Sequence, residues 1–351
     1  MQKNNPLVSI VVPNYNTLND VDNYIKNFLK IDYSPLEIII VDDHSSDGSY
    51  EKLLEYAKKN NNLKIIRNEK NFGPSKTRNN GINFSKGKYI AFLESDMEVD
   101  SNYLNILVNE LEKDKNLGAA LSLVLDLNQK EIIQSDSLHY NPYNFFVYSE
   151  NFGLKKSNLK SPLKEKYSSI GAVGSIVRKS VLDLVGGFDE KIVHNIDDID
   201  LGWRIWISGY FIKSFSNAVT YHVSSKKFEI REKVTPKVTS ELHFHKTPRV
   251  FLKNYELKNI LKYGFWLYIT FFVRILFNLL KGNLAPLKGF LLSIKWLVLN
   301  FRDTLEERKK VQSFRNLSDI EIFDKIFMNG SYMQNLRNIR KIMLRSYETF
   351  K

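Results

Sequence analysis

Through the first 225 residues, apolar runs of strand length alternate with stretches of helical spacing, and no other feature of the sequence restricts the fold as much. Leu7 to Val12 (LVSIVV) and Glu37 to Val41 (EIIIV) have strand length, and between them Val21, Ile25, Phe28 and Leu29 recur at helical spacing. This is a β-α-β unit. The pattern continues with a helix over about 49–60, a strand from Leu63 to Arg67 and a helix from Ser75 to Phe84, then a strand from Lys88 to Leu93 and a helix from Asn102 to Lys115. Such alternation predicts an α/β fold with a mostly parallel sheet and helices on both faces. Ligands of such sheets sit beyond the carboxyl ends of the strands.

The segment over about 126–166 loses this periodicity and gains Asn, Ser, Lys and aromatics, which predicts a mobile, partly β insertion. The α/β pattern returns with a strand within Ser169 to Arg178 and a helix from Ser180 to Val185. A second helix from Asp198 to Ser208 is stopped by Gly209, and a strand leads to His222. The 351 residues are enough for two domains, and the charge divides them. Residues 1–225 carry 26 Lys and Arg against 28 Asp and Glu, and residues 226–351 carry 25 against 11. The expected organisation is therefore an α/β domain over 1–225 and a basic, mainly α-helical region over 226–351.

Two apolar runs lie in that basic region, Tyr263 to Leu280 interrupted by Arg274 and Phe290 to Phe301 interrupted by Lys295. Neither is the clean run of about 20 apolar residues that a bilayer crossing needs. The remaining readings are a helical core packed on the first domain, or helices lying in the interface of an anionic membrane. From Ser318, with Glu321 three residues on as a capping box, the chain reads as two amphipathic helices. The first apolar run, Leu7 to Val12, is too short for a signal-peptide core, so the expected location is cytoplasmic, peripheral on the inner face of the cell membrane.

Other function classes fit poorly. The chain has no cysteine, which excludes disulfides, thiolate metal sites and a cysteine nucleophile. A Rossmann oxidoreductase needs a glycine-rich turn after its first strand, and that turn reads Pro13-Asn14-Tyr15-Asn16. No nucleic-acid motif accompanies the basic tail, so no nucleic-acid partner is expected.

Five signals follow strand ends: Pro13 to Asn16, Asp42-Asp43 with the loop to Ser49, and the 71–81 turn and helix bearing Arg78, then Glu94-Ser95-Asp96, and Gly186 to Glu190 with Asp197-Asp198. Paired carboxylates at a strand end can accept hydrogen bonds from a base or ribose. A guanidinium can hold a diphosphate, and Glu94 and Asp96, two residues apart, can converge on a divalent cation. Asp197 or Asp198, at a helix start, can serve as a general base. His222, after a β-run, adds an imidazole suited to metal.

Order and spacing together resemble family 2 of the inverting nucleotide-sugar glycosyltransferases, which have the GT-A fold, over about residues 7–224. The matching pieces are P-x-Y-N at 13–16, V-D-D-x-S-x-D-x-S at 41–49 and N-x-G-x-S-x-x-R-N-x-G at 71–81, then the acidic triplet at 94–96, G-G-F-D-E at 186–190 and D-D-x-D-L-x-x-R at 197–204. The last segments look most like the rhamnosyltransferase-like branch. The resemblance implies a UDP- or dTDP-sugar donor bound by Pro13, Tyr15, Asn16, Asp42, Asp43, Arg78, Glu94, Ser95 and Asp96. It implies Mn2+ or Mg2+ on Asp96 with His222 and Glu94, and Asp198 as base with Asp197 as its rival. The acceptor it implies is a lipid-linked glycan of surface polysaccharide assembly. Two departures stand out: Glu94 replaces the usual first aspartate of the triplet, and Asp197 replaces a common glutamate. A catalytically silent sugar-nucleotide-binding or scaffold protein of the same fold is the alternative.

Overall fold

The computed structural model describes residues 5–141, 147–159, 161, 163, 165–169, 174–192, 196–223 and 246–326. The expected βα units are present: β1 (Val8–Asn14), α1 (Val21–Phe28), β2 (Leu36–Asp42), α2 (Ser49–Ala57), β3 (Leu63–Arg67), α3 (Pro74–Phe84), β4 (Tyr89–Phe92). Two strands that the sequence reading does not contain flank the next helix, β5 (Met97–Val99) before α4 (Tyr103–Lys113) and β6 (Leu117–Asp126) after it. Inside the insertion lie β7 (Ile133–Ser135), β8 (His139–Tyr140), β9 (Val147–Tyr148) and β10 (Lys166–Tyr167). Then come β11 (Ser175–Arg178), α5 (Lys179–Val185), α6 (Asp197–Ile207) and β12 (Phe211–His222). The basic region supplies α7 (Thr247–Asn254), α8 (Leu257–Leu279), α9 (Ala285–Leu299), α10 (Phe301–Ser313) and α11 (Asp319–Ile326). The 225/226 boundary and the second terminal amphipathic helix lie outside the described residues.

The main sheet runs β10-β12-β6-β11-β4-β1-β2-β3. Its β3-β2-β1-β4 part is wholly parallel, as is the β6–β12 pair, while β11 enters antiparallel between β4 and β6. Both faces are covered. Ile10, Ile38 and Ala91 face a core with Tyr24, Phe28 and Leu107 from α1 and α4. Val11, Ile90 and Leu121 face the other core, made with α5, α6 and the C-terminal helices. Close packing also fixes the third motif, because a Cβ at Gly81 of α3 would stand 2.4 Å from a Val11 methyl of β1.

Three carboxylates and three cations anchor α7. Asp189 of the G-G-F-D-E string accepts from Arg249 Nε (2.8 Å) and Lys253 Nζ (2.6 Å). Lys253 also reaches Asp200 of α6 (2.8 Å), which pairs with Arg204 (2.7 Å), and Arg249 also reaches Asp303 of α10 (2.6 Å). Arg249, Lys253, Asp189 and Asp200 are all buried. Removing one partner of a buried ion pair costs roughly 3–5 kcal/mol, so these motif residues hold the helical region to the sheet domain.

The terminal helix begins as expected, with Ser318 N donating to Glu321 (2.8 Å) and Glu321 N to Ser318 Oγ (3.3 Å), a capping box. Helix α8 departs from expectation: with 23 residues it is long and apolar enough to cross a membrane, at roughly 34 Å given 1.5 Å per residue. The helix begins six residues before the apolar run, where Leu257 and Ile260 already alternate with polar neighbours. Helix α9 has only 15 residues, roughly 22 Å, too short to return across about 30 Å of hydrocarbon. Tyr263, Leu267, Phe271 and Ile275, four apart, pack inward, whereas Leu257, Leu261, Phe265, Phe272 and Leu276 are exposed, Leu261 at 83%. Leu291, Ile294 and Val298 of α9 are exposed as well. The region is thus both a packed core and an uncovered apolar surface.

Candidate active site

Every strand-end signal gathers at the carboxyl edge of the sheet, and hydrogen bonds between motifs hold them there. Asn14 Nδ2 donates to Asp42 (2.9 Å), and its Oδ1 accepts from Tyr24 OH (3.0 Å). Asn16 N donates to Ser45 Oγ (3.0 Å) while Ser46 N donates to Asn16 Oδ1 (2.9 Å), which stitches the first loop to the second. Asn16 and His44 hold left-handed backbone, with φ of 51° and 64°, a conformation that asparagine and histidine adopt more readily than most residues. Pro13 is half-buried, whereas Tyr15 stands out at 51% exposure.

The two aspartates of the second loop differ. Asp42 has no accessible surface and accepts from Asn14, Ser45 N (3.1 Å) and Ser45 Oγ (2.5 Å), with Arg67 at 3.5 Å. It shapes the loop, and direct nucleotide contact is closed to it in this arrangement because its oxygens face inward. Asp43 Oδ1 accepts from Asn68 Nδ2 (2.8 Å) and Phe72 N (2.9 Å), and Oδ2 from Gly73 N (2.8 Å). The start of the N-x-G-x-S string is therefore folded around Asp43.

Arg78 does not present its guanidinium to an open diphosphate site. It is buried between Glu94 Oε1 (2.5 Å) and Asp197 Oδ2 (2.9 Å), with its plane near the Phe188 ring. One arginine thus joins the acidic triplet to the start of α6. The same pairing commits Glu94 Oε1 to Arg78, through the longer side chain of glutamate. Ser95 lies half-buried between Glu94 and Asp96. Asn79, next to Arg78, clamps the G-G-F turn by donating to Phe188 O (2.8 Å) and accepting from Phe188 N (2.8 Å). A Cβ on Gly187 would meet Asn79 at 2.7 Å, and its φ of 65° also favours glycine.

Asp197 and Asp198 open α6 after Ile196, so neither is the N-cap. Arg78 holds Asp197, whereas Asp198 accepts from its neighbour's amide, Ile199 N (2.8 Å), and stays half-buried as a residue. Desolvation first, and the adjacent Asp197 second, push the Asp198 carboxyl up to about 7. A carboxylate tuned to neutrality suits proton abstraction.

Asp96 and His222, 126 positions apart, meet because β5 pairs antiparallel with the end of β12, Met97 opposite His222. His222 Nε2 lies 3.4 Å from Asp96 Oδ1, and Val223 N donates to Asp96 O (3.3 Å). Gln134 holds the other ring nitrogen, its Oε1 lying 3.1 Å from His222 Nδ1. Among the described residues no group of three or more His, Cys, Asp or Glu surrounds a single point.

Residues 9–183 match the family described as Glycosyl transferase family 2. The chain carries a family 2 glycosyltransferase domain. Over 206 residues, 59% of this chain and 47% of that protein, it is 26% identical to the poly-beta-1,6-N-acetyl-D-glucosamine synthase of Staphylococcus epidermidis. The chain spans about half the length of the curated relatives it matches first. In fold, the chain resembles the mannosyltransferase PcManGT from Pyrobaculum calidifontis, solved with GDP-Man and Mn2+. The TM-score is 0.52 at 16% identity, covering 98% of this chain and 87% of that one. It also resembles GalNAc-T7, solved with UDP, GalNAc and Mn2+, at TM-score 0.54 and 19% identity over 71% and 52% of the two chains. The fold is GT-A, followed by a helical C-terminal region.

Sequence reasoning missed Asn14, Asn68, Asn79 and Gln134. Asn14 and Asn79 lie inside the quoted motif strings, and Asn68 directly follows β3, where strand-end reasoning could have found it. Gln134 carries no sequence signal.

Proposed function

We propose that the chain is an inverting, metal-dependent glycosyltransferase that moves a sugar from a UDP- or dTDP-linked donor to a hydroxyl of a lipid-linked glycan in surface polysaccharide assembly. The observation that carries this reading is the division of labour between two adjacent aspartates, Asp197 held by Arg78 and Asp198 raised to about 7. Asp198 takes the proton from the acceptor hydroxyl as its oxygen attacks the anomeric carbon. One displacement inverts the configuration, and base assistance of this kind is worth roughly 100- to 10,000-fold. Asp43 Oδ2 accepts a single N–H from the protein among its hydrogen bonds, which leaves it able to accept the imide N–H that uracil and thymine share. Tyr15, in the loop after β1, offers an exposed ring.

Asp96 and His222 fit a divalent cation, because a carboxylate oxygen and an imidazole nitrogen face each other across 3.4 Å. Mn2+ or Mg2+ held there would take its other ligands from water and the donor phosphates, and when bound it would neutralise the departing diphosphate. A thermal-shift panel of UDP-, dTDP- and GDP-sugars, with and without Mn2+, tests the donor. A rise in unfolding temperature that requires both Mn2+ and a UDP or dTDP donor supports the reading, since a ligand of the folded state stabilises by mass action. No shift with any pair contradicts it.

In this reading the enzyme works on the inner face of the cell membrane, where a lipid-linked acceptor is presented. Support comes from the exposed apolar faces of α8 and α9, interleaved with exposed Lys258, Lys262, Lys288 and Lys295. Each lysine near anionic lipid adds about 1 kcal/mol. Co-sedimentation with vesicles should require anionic lipid, weaken with salt, and fall sharply in Leu261→Asp/Phe265→Asp. Equal recovery on neutral and anionic vesicles, or none on either, refutes it.

A further inference from the structure

The orientation of Gln134 can be read from its partners. Its Nε2 faces two acceptors, the His222 carbonyl oxygen (2.6 Å) and Asp126 Oδ2 (3.2 Å), so the amide nitrogen must be on that side. Oε1 then faces His222 Nδ1, at 3.1 Å, and as an acceptor it requires hydrogen on that nitrogen. Asp126 is itself fixed: it is fully buried at the end of β6 and accepts from Asn128 N (2.9 Å) and Gln129 N (2.7 Å). The backbone agrees, since β6 carries Asp126 beside His222 in register, Leu127 N donates to His222 O (2.9 Å), and β7 lays Gln134 against β6. The chain of constraint runs Asp126, Gln134, His222 Nδ1, and it ends with His222 Nε2 directed at Asp96.

We infer that Gln134, contributed by the insertion and lying outside every motif, is a positioning residue that fixes the ring of His222 with hydrogen on Nδ1 and so reserves Nε2 for a divalent cation shared with Asp96. The inference rests on the proposed metal role of Asp96 and His222. It also gives the insertion a function: β7 supplies the outer contact that orients a ligand held at the end of β12. Partners of this kind are typically worth about 10- to 100-fold in metal affinity.

Two measurements on the full chain test it. The first is the nitrogen NMR spectrum of 15N-histidine-labelled, metal-free protein at pH 8, with the His222 signals identified by their loss in His222→Ala. Wild type should show a hydrogen-bearing Nδ1 and a bare Nε2. In Gln134→Met, which keeps the length but cannot accept the bond, that preference should be lost. A bare Nδ1 in wild type, or hydrogen on both nitrogens as in a plain ion pair with Asp96, overturns the inference. The second is Mn2+ affinity in the presence of UDP, followed by electron paramagnetic resonance. Gln134→Met should bind about 10- to 100-fold more weakly, and His222→Ala at least as weakly. Unchanged affinity in Gln134→Met, with affinity lost in His222→Ala, overturns the role of Gln134 and leaves the metal reading standing. Unchanged affinity in His222→Ala overturns the metal reading itself, and the inference with it. The wild-type spectrum decides the tautomer even if Gln134→Met does not fold.

Discussion

Asp198→Asn should lower turnover, followed as nucleoside diphosphate release in the presence of acceptor, by about 100-fold or more while the donor still binds. Asparagine keeps the shape and can still accept from Ile199 N, yet it cannot take a proton. In the proposed mechanism the same carboxyl sets the pH dependence. With its value raised to about 7, the ionised base is scarce below neutrality, so wild-type turnover should climb about tenfold per pH unit up to roughly pH 7 and then level. Stability moves the other way. The folded state holds the proton more tightly than the unfolded chain, whose Asp titrates near 3.8, so stability falls as pH rises from about 4 to about 7. Asp198→Asn should therefore unfold at a higher temperature than wild type above pH 7, and the gap should close below about pH 4. Wild-type turnover in Asp198→Asn, with a dead Asp197→Asn, would exchange the two roles.

If Asp96 and His222 hold the cation, Asp96→Ala should abolish Mn2+-dependent turnover and His222→Ala should reduce it by at least about 100-fold, the scale expected when several kcal/mol of charge stabilisation at the leaving group is lost. Both variants should also lose the Mn2+-dependent part of the donor thermal shift. Glu94→Gln should behave differently, because Glu94 pairs with Arg78 and not with the Asp96–His222 pair. Its donor shift with Mn2+ should persist. Donor affinity that is unchanged with metal in Asp96→Ala removes the cation from this place.

The sequence carries most of the βα framework, because one-sided helices and short apolar strands are local patterns. What it hides is tertiary. β6 escapes recognition although it is ten residues long and buried throughout, since its Leu-Gly-Ala-Ala start has none of the β-branched residues that mark the other strands. β5 is three residues long and gains its meaning only by pairing with β12. The same holds within the site. Strand-end logic points to Asp43, Asp96 and Asp198 as candidates, but spacing cannot show that Arg78 turns to two carboxylates or that Asp42 faces inward. Those outcomes depend on partners 16, 119 and 28 residues away, Glu94, Asp197 and Asn14. The basic tail shows the same limit: spacing alone does not tell that α8 covers one apolar face against the core and leaves another uncovered.

The stereochemistry of donor hydrolysis tests the single displacement most directly. With a donor that stabilises the protein and Mn2+ present, proton NMR during the first minutes identifies the anomer released before it equilibrates in water. A base that activates water in one in-line step predicts a sugar of configuration opposite to that in the donor, with its rate of appearance lost in Asp198→Asn. First release of the same configuration as the donor would contradict the account.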